Sequence, residues 1–77
     1  MSVGYVLINV EPGLESSVSD TATSLECVTD SNLLFGDYDL IVKVEGDDMG
    51  DIARNVVESI RSIPGVVNTK TLACAEM

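Results

Sequence analysis

The stretch Leu-Leu-Phe-Gly-Asp-Tyr-Asp-Leu-Ile-Val-Lys-Val, residues 33–44, decides how this chain is expected to fold. Gly36 and Asp37 separate two apolar runs, which predicts a strand-to-strand turn because Gly tolerates a positive φ and Asp bonds its own backbone. Tyr38 and Asp39 then open the second strand, on opposite faces of the pleat. The Asp39 carboxylate begins an apolar strand and needs a partner or a wet cleft. Two interpretations stay open: the acid fixes the turn, or it faces a ligand beside a subunit boundary.

Six elements of secondary structure can be read outward from this turn. Apolar β-type runs predict four strands, at residues 3–10, about 28–35, 38–45 and 66–74. Apolar residues three or four apart predict two helices, at about residues 14–25 and 49–62. The order β-α-β-β-α-β predicts an α+β, ferredoxin-like fold, in which a four-stranded antiparallel sheet carries both helices on one face.

The predicted strands are apolar on both faces, although the helices can cover only one. An exposed second face of an antiparallel sheet would alternate to polar residues. We therefore expect the second face to be buried against another subunit, sheet on sheet at about 10 Å. The residues expected to line this dimer interface are Tyr5, Leu7, Leu40 and Val42.

Composition narrows the possible partners. The chain has 77 residues, enough for one domain, and carries 13 Asp and Glu against 4 Lys and Arg, a net charge of −9. Such a surface repels phosphate backbones and anionic membranes, so we expect no direct nucleic-acid or membrane binding. Neither a signal peptide nor a membrane-spanning run is present in the sequence, which predicts a cytoplasmic protein. Without His or a CxxC pair, no structural metal is expected.

Few residues suggest chemistry. The lack of His excludes Ser-His and Cys-His nucleophile pairs, and no glycine pattern predicts a phosphate cradle. The acids at Asp47, Asp48 and Asp51 suit a helix cap better than a cation site. In the last strand, Thr69 and Thr71 project from one face. Their hydroxyls can serve cross-strand bonding or, with an acid, grip a small zwitterion. We therefore expect no enzyme and no cofactor.

Three segments together resemble one family, in matching order and spacing: residues 6–13, 36–39 and 60–72. They are similar to the Lrp/AsnC effector-binding domain, also called the RAM domain. The resemblance implies dimers that pair through their sheets and often form rings of four dimers, an octamer. It also implies small effectors, usually amino acids, in clefts between dimers. The family's effector region maps onto Gly36, Asp37, Tyr38 and Asp39, with Thr69 and Thr71 from the last strand.

Full-length members of that family carry a helix-turn-helix domain before this one, so residues 1–77 resemble a stand-alone version. Two functions remain open. The chain is either an amino-acid sensor that acts on transcription by assembling with helix-turn-helix relatives, or an oligomeric interaction module without a ligand. A small dimeric α+β-barrel enzyme is a third, weaker alternative, because those enzymes usually rely on His, Trp or Asn, and this chain has neither His nor Trp.

Overall fold

The computed structural model describes residues 1–74, whose strands form one antiparallel sheet in the order β2-β3-β1-β4. The strands are β1 (Ser2–Val10), β2 (Val28–Leu33), β3 (Leu40–Gly46) and β4 (Val66–Ala73). Helix α1 spans Glu15–Thr23. Helix α2 joins Met49–Asp51, a π-helical stretch Ile52–Val56 and Val57–Arg61. This order and topology confirm the ferredoxin-like prediction. No helix among the described residues is long and apolar enough to cross a membrane.

The core lies between one face of the sheet and the two helices. The register of β1 with β3 sets Val6 beside Val42 and Ile8 beside Leu40, and all four side chains are fully buried. The helices contribute the predicted stripes, including Val18, Ala22, Ile52, Val56 and Ile60. The alternating apolar residues of the strands therefore pack against the apolar stripes of the helices in one layer.

The π-helical stretch of α2 was not predicted, although the extent of the helix was. Its buried residues Ile52, Val56 and Ile60 are four apart, and in a regular α-helix each such step drifts by about 40° around the axis. The wider π turn offsets this drift, so that these side chains keep facing the sheet.

The acids before α2 form a helix cap, as predicted. The Asp51 backbone N–H donates to Asp48 Oδ1 at 2.7 Å, and the Asp47 N–H donates to Asp51 Oδ2 at 3.2 Å. The Asp48 side chain thereby satisfies an N–H that the first turn of a helix leaves without a partner, and the Asp51 side chain reaches back to the residue before the cap.

The face of the sheet away from the helices, here called the open face, differs from the prediction. Tyr5 and Leu7 lie on it, half-buried, and Leu7 is paired with Ile41 and Lys70. Leu40 and Val42 are fully buried in the core on the opposite face. Their assignment to the dimer interface was wrong, because the register of β1 with β3 places them beside Ile8 and Val6 rather than beside Leu7.

Candidate functional site: a cleft beside the β2–β3 loop

The loop between β2 and β3 is longer than the predicted turn, since β2 ends at Leu33 and β3 begins at Leu40. Gly36 has φ 132°, and a Cβ there would meet nothing within 4 Å, so the backbone conformation rather than crowding favours glycine. Two backbone bonds hold the end of the loop to the sheet. The Leu34 N–H donates to Asp39 O at 2.9 Å, and the Asp39 N–H donates to Ile8 O at 3.0 Å.

The side chain of Asp39 ties this loop to β1. Its Oδ2 accepts a hydrogen bond from the Val10 backbone N–H at 2.8 Å. Val10 is buried, so the carboxylate supplies the acceptor that this N–H would otherwise lack. The carboxylate thus has a structural partner on β1, and a ligand-facing role for Asp39 stays a prediction. A carboxylate offers about four lone-pair sites, so this bond uses only part of its capacity.

A cleft of about 280 Å³ lies between this loop and the first turn of α1. Its lining residues are Glu15, Leu33, Leu34, Phe35 and Asp39. Leu33 is 56% exposed and Phe35 is completely exposed. Large apolar side chains left this open in a small domain indicate a surface that meets a ligand or another chain.

Glu15, which the sequence reasoning did not single out, contributes the second carboxylate of the cleft. Both of its oxygens accept from the Gly13 N–H, at 3.1 and 3.0 Å, which holds the carboxylate at the start of α1. Its place in the first helical turn, two residues after Gly13, is the sequence signal for it. Nothing in the local sequence marks Phe35 as exposed.

The two threonines lie elsewhere. Thr69 is paired with Ile8 and Thr71 with Val6, so both belong to the face of β4 that the helices cover. Strand β1 separates β4 from β3, and two strand spacings amount to roughly 10 Å. Neither threonine lines the cleft. Of the four loop residues predicted for the site, only Asp39 does; Asp37 is exposed, and Gly36 and Tyr38 stand outside the lining.

The chemistry of the cleft follows from its lining. The three leucine and phenylalanine side chains present apolar surface, and the ionisable groups, Glu15 and Asp39, are both acids. Carboxylates recognise an ammonium group by charge-assisted hydrogen bonds. The cleft of one chain therefore suits an ammonium attached to an apolar group, and its lining side chains offer no cation to a carboxylate.

Known proteins resemble this chain in sequence and in fold. The family model for the Lrp/AsnC ligand binding domain matches residues 3–76. PH1916, an uncharacterized HTH-type transcriptional regulator of Pyrococcus horikoshii, is 30% identical over 74 residues, which are 92% of this chain and 49% of that protein. The chain thus spans about half the length of this curated relative.

Solved structures share the fold. The hypothetical protein PHS023 from Pyrococcus horikoshii is 30% identical with a TM-score of 0.88, over 100% of this chain and 93% of that one. The transcriptional regulator NMB0573 from Neisseria meningitidis, solved as a complex with L-Met, superposes with a TM-score of 0.82 at 13% identity. That match covers 97% of this chain and 50% of the regulator.

Proposed function

This chain belongs to the family of Lrp/AsnC ligand-binding domains, and from that premise we propose that it is a non-enzymatic sensor of an apolar amino acid. The effector binds in the cleft beside the β2–β3 loop and changes how the chains assemble. The assembly state in turn acts on transcription through a DNA-binding element outside the described residues. The cytoplasm is the compartment that this role requires.

The observation that carries the proposal is the combination of groups in the cleft. Apolar surface from Leu33 and Phe35 lies beside two carboxylates, and each carboxylate is fixed by a backbone N–H rather than left mobile. Fixed acceptors recognise an ammonium without the loss of side-chain entropy that a mobile acid would incur. The L-Met complex of NMB0573 supports an amino acid as the ligand class, because that regulator has the same fold.

The cleft of one chain is incomplete for an amino acid, because its lining side chains offer nothing to the carboxylate of the ligand. We place this carboxylate against backbone amides near Gly36 and against the hydroxyls of Thr69 and Thr71 from a neighbouring subunit. The position of the threonines across β1 supports a second chain as their source. The effector would then bridge subunits, which couples its binding to assembly.

The open face supports a homodimer. Tyr5, Leu7, Ile41 and Leu72 give it an apolar surface, and Leu72 is 43% exposed. Its charged residues in the paired strands are Asp30, Lys43, Glu45 and Lys70, so two cations cancel two anions. On a chain of net charge −9, a face whose charges cancel and which exposes apolar side chains is the surface on which two copies repel each other least. Dimers that contact each other through the cleft beside the β2–β3 loop, the proposed effector cleft, would form the ring of four dimers that the family resemblance implies.

An effect on transcription requires a DNA-binding element other than the two helices of this domain. The described helices are used to cover the sheet, and a net charge of −9 opposes contact with phosphates. We expect no mobility shift of duplex DNA by this protein alone. A shift that appears when a helix-turn-helix relative is added would support co-assembly.

The test of the effector proposal is a thermal-shift screen of the twenty amino acids, followed by calorimetry. A ligand at 100 times its Kd stabilises by about 2.7 kcal/mol, which is readily measured in a small domain. Asp39→Asn keeps an oxygen for the Val10 N–H but removes the charge, so it should weaken binding by about 1.5–3 kcal/mol. Asp48→Asn is the matched control, because Asp48 caps α2 away from the cleft and Asn also caps well.

An interaction module without a ligand is the second candidate, and one observation favours it. Both carboxylates of the cleft already accept backbone hydrogen bonds, so each has a structural reason to be present. If no amino acid raises the melting temperature of the wild type, this second function stands. Equal loss of binding in the Asp39 and Asp48 variants would likewise remove the cleft from the effector proposal.

A further inference from the structure

A second concave surface lies at the opposite edge of the sheet from the effector cleft. It occupies about 320 Å³ between the end of α2 and the start of β4, and is here called the β4 groove. Its lining residues are Arg61, Val66, Val67, Asn68 and Thr69. In contrast to the effector cleft, the lining holds a cation and no acid.

The β4 groove brings two side-chain donors to the helix side of β4: the planar guanidinium of Arg61 and the hydroxyl of Thr69. Strand β4 is an edge strand, and the Cys74 N–H donates to Val3 O at 3.1 Å. Along an antiparallel strand, the backbone N–H groups point alternately toward and away from the neighbouring strand. Thr69 lies five residues before Cys74 and is paired with Ile8, so its N–H points away from β1 and toward the free edge. A guanidinium beside a hydroxyl and a backbone N–H is a set that matches an oxyanion.

Arg61 also has a structural reason for its position, since a cation in the last turn of a helix interacts favourably with the dipole. That role accounts for a positive charge at the end of α2 but not for the donors that β4 places next to it. The chain has only four Lys and Arg residues against 13 acids, so a surface lined by a cation without an acid is unusual for it. Lys43 and Lys70 lie on the open face, and Arg54 lies near the start of α2 beside Gly50.

We propose that the β4 groove binds a small oxyanion, a carboxylate or a phosphate, with Arg61 as its charge partner and Thr69 as a neutral donor. A spherical anion such as chloride, which has no planar or tetrahedral set of oxygens, fits this donor arrangement less well. The two proposals share Thr69, which the effector proposal assigns to the ligand carboxylate from a neighbouring subunit, but only the groove uses Arg61. Anion binding that depends on Arg61 in the absence of any amino acid therefore tests the groove by itself.

The experiment follows backbone amide and Arg Nε resonances by ¹H–¹⁵N NMR in the absence of any amino acid. Sodium phosphate is added in one series and sodium acetate in another, with ionic strength held constant by sodium chloride. We expect saturable shifts of the Thr69 amide and the Arg61 Nε in at least one series. The series that saturates identifies which oxyanion the groove takes.

Two variants decide the assignment. Arg61→Gln should weaken binding at least about tenfold, the effect of one charge-assisted hydrogen bond. Arg54→Gln removes an equal charge from the same helix and should leave binding unchanged. Thr69→Val should weaken binding without altering the fold, because the two side chains are nearly equal in size. Shifts that stay linear in both series, or equal losses in the two arginine variants, would overturn the proposal.

Discussion

Replacing Asp39 with Ala should destabilise the protein by about 1–3 kcal/mol, the cost of leaving a buried backbone donor without its acceptor. The donor is the Val10 N–H, which is 2.8 Å from Asp39 Oδ2. Val10 is only 7% exposed, so water cannot readily replace the carboxylate. Asp39→Asn keeps a side-chain oxygen in place and should cost less, about 1 kcal/mol, because a neutral acceptor replaces a charged one.

The assay is urea denaturation of the wild type and both variants at one fixed protomer concentration, since association contributes to apparent stability. For a domain of this size, each kcal/mol corresponds to about 4–8 °C in Tm, so thermal melts give a second measurement. Asp37→Ala is the matched control. Asp37 is exposed in the same loop, and its loss should change stability by no more than about 0.5 kcal/mol.

Two results would refute the reasoning. If Asp39→Ala unfolds at the same urea concentration as Asp37→Ala, the carboxylate does not satisfy the Val10 N–H. If Asp39→Asn loses as much stability as Asp39→Ala, the charge matters rather than the hydrogen bond, and the structural role assigned to this residue is mistaken.

Three further predictions concern other parts of the molecule. Leu7→Asp should give a folded monomer, measured by sedimentation velocity. Val42→Asp should be unfolded, as measured by circular dichroism, because it buries a charge in the core. A folded Val42→Asp protein would contradict the register. Gly65→Ala should lower the free energy of unfolding by at least about 1 kcal/mol, because φ is 101° and a Cβ would lie 3.0 Å from neighbouring side chains. An unchanged urea midpoint would count against that crowding. Burial raises the pKa of the Cys27 thiol, so it should react with iodoacetamide more slowly than the exposed Cys74. Since the unfolded thiol then loses its proton first, the stability of the folded protein should decline as pH rises through the ordinary thiol pKa of about 8.5 and on to the higher folded pKa. Cys27→Ser should flatten that decline.

The fold was predictable because its signals are local. Alternation in β1 and four-residue spacing in the helices fix which side chains can be buried together, and Val6, Val18 and Ile60 lie in the core as those periods require. The Asp48 cap was predictable for the same reason, since its partner N–H is three residues away. Periodicity within a segment needs no knowledge of the rest of the chain.

The features that escaped prediction depend on how segments meet. Leu40 and Val42 are apolar and alternate correctly, but only the offset between β1 and β3 decides which face they join. Thr69 was grouped with the loop acids, although β1 lies between them. Glu15 enters the cleft because α1 packs beside the β2–β3 loop. Offsets and packing of this kind are set by long-range contacts that a single sequence does not display.

The cancellation of charge on the open face has a consequence for ionic strength. Each chain carries −9, and the charges that the strand pairing puts on the open face cancel, so two approaching copies repel through the acids of their other described surfaces. Dissolved salt shortens the reach of this repulsion to about 10 Å at 0.1 M and about 3 Å at 1 M. Salt does not screen the apolar contacts between two open faces. Association of this protein should therefore tighten as electrolyte is added, the reverse of a complex held by opposite charges.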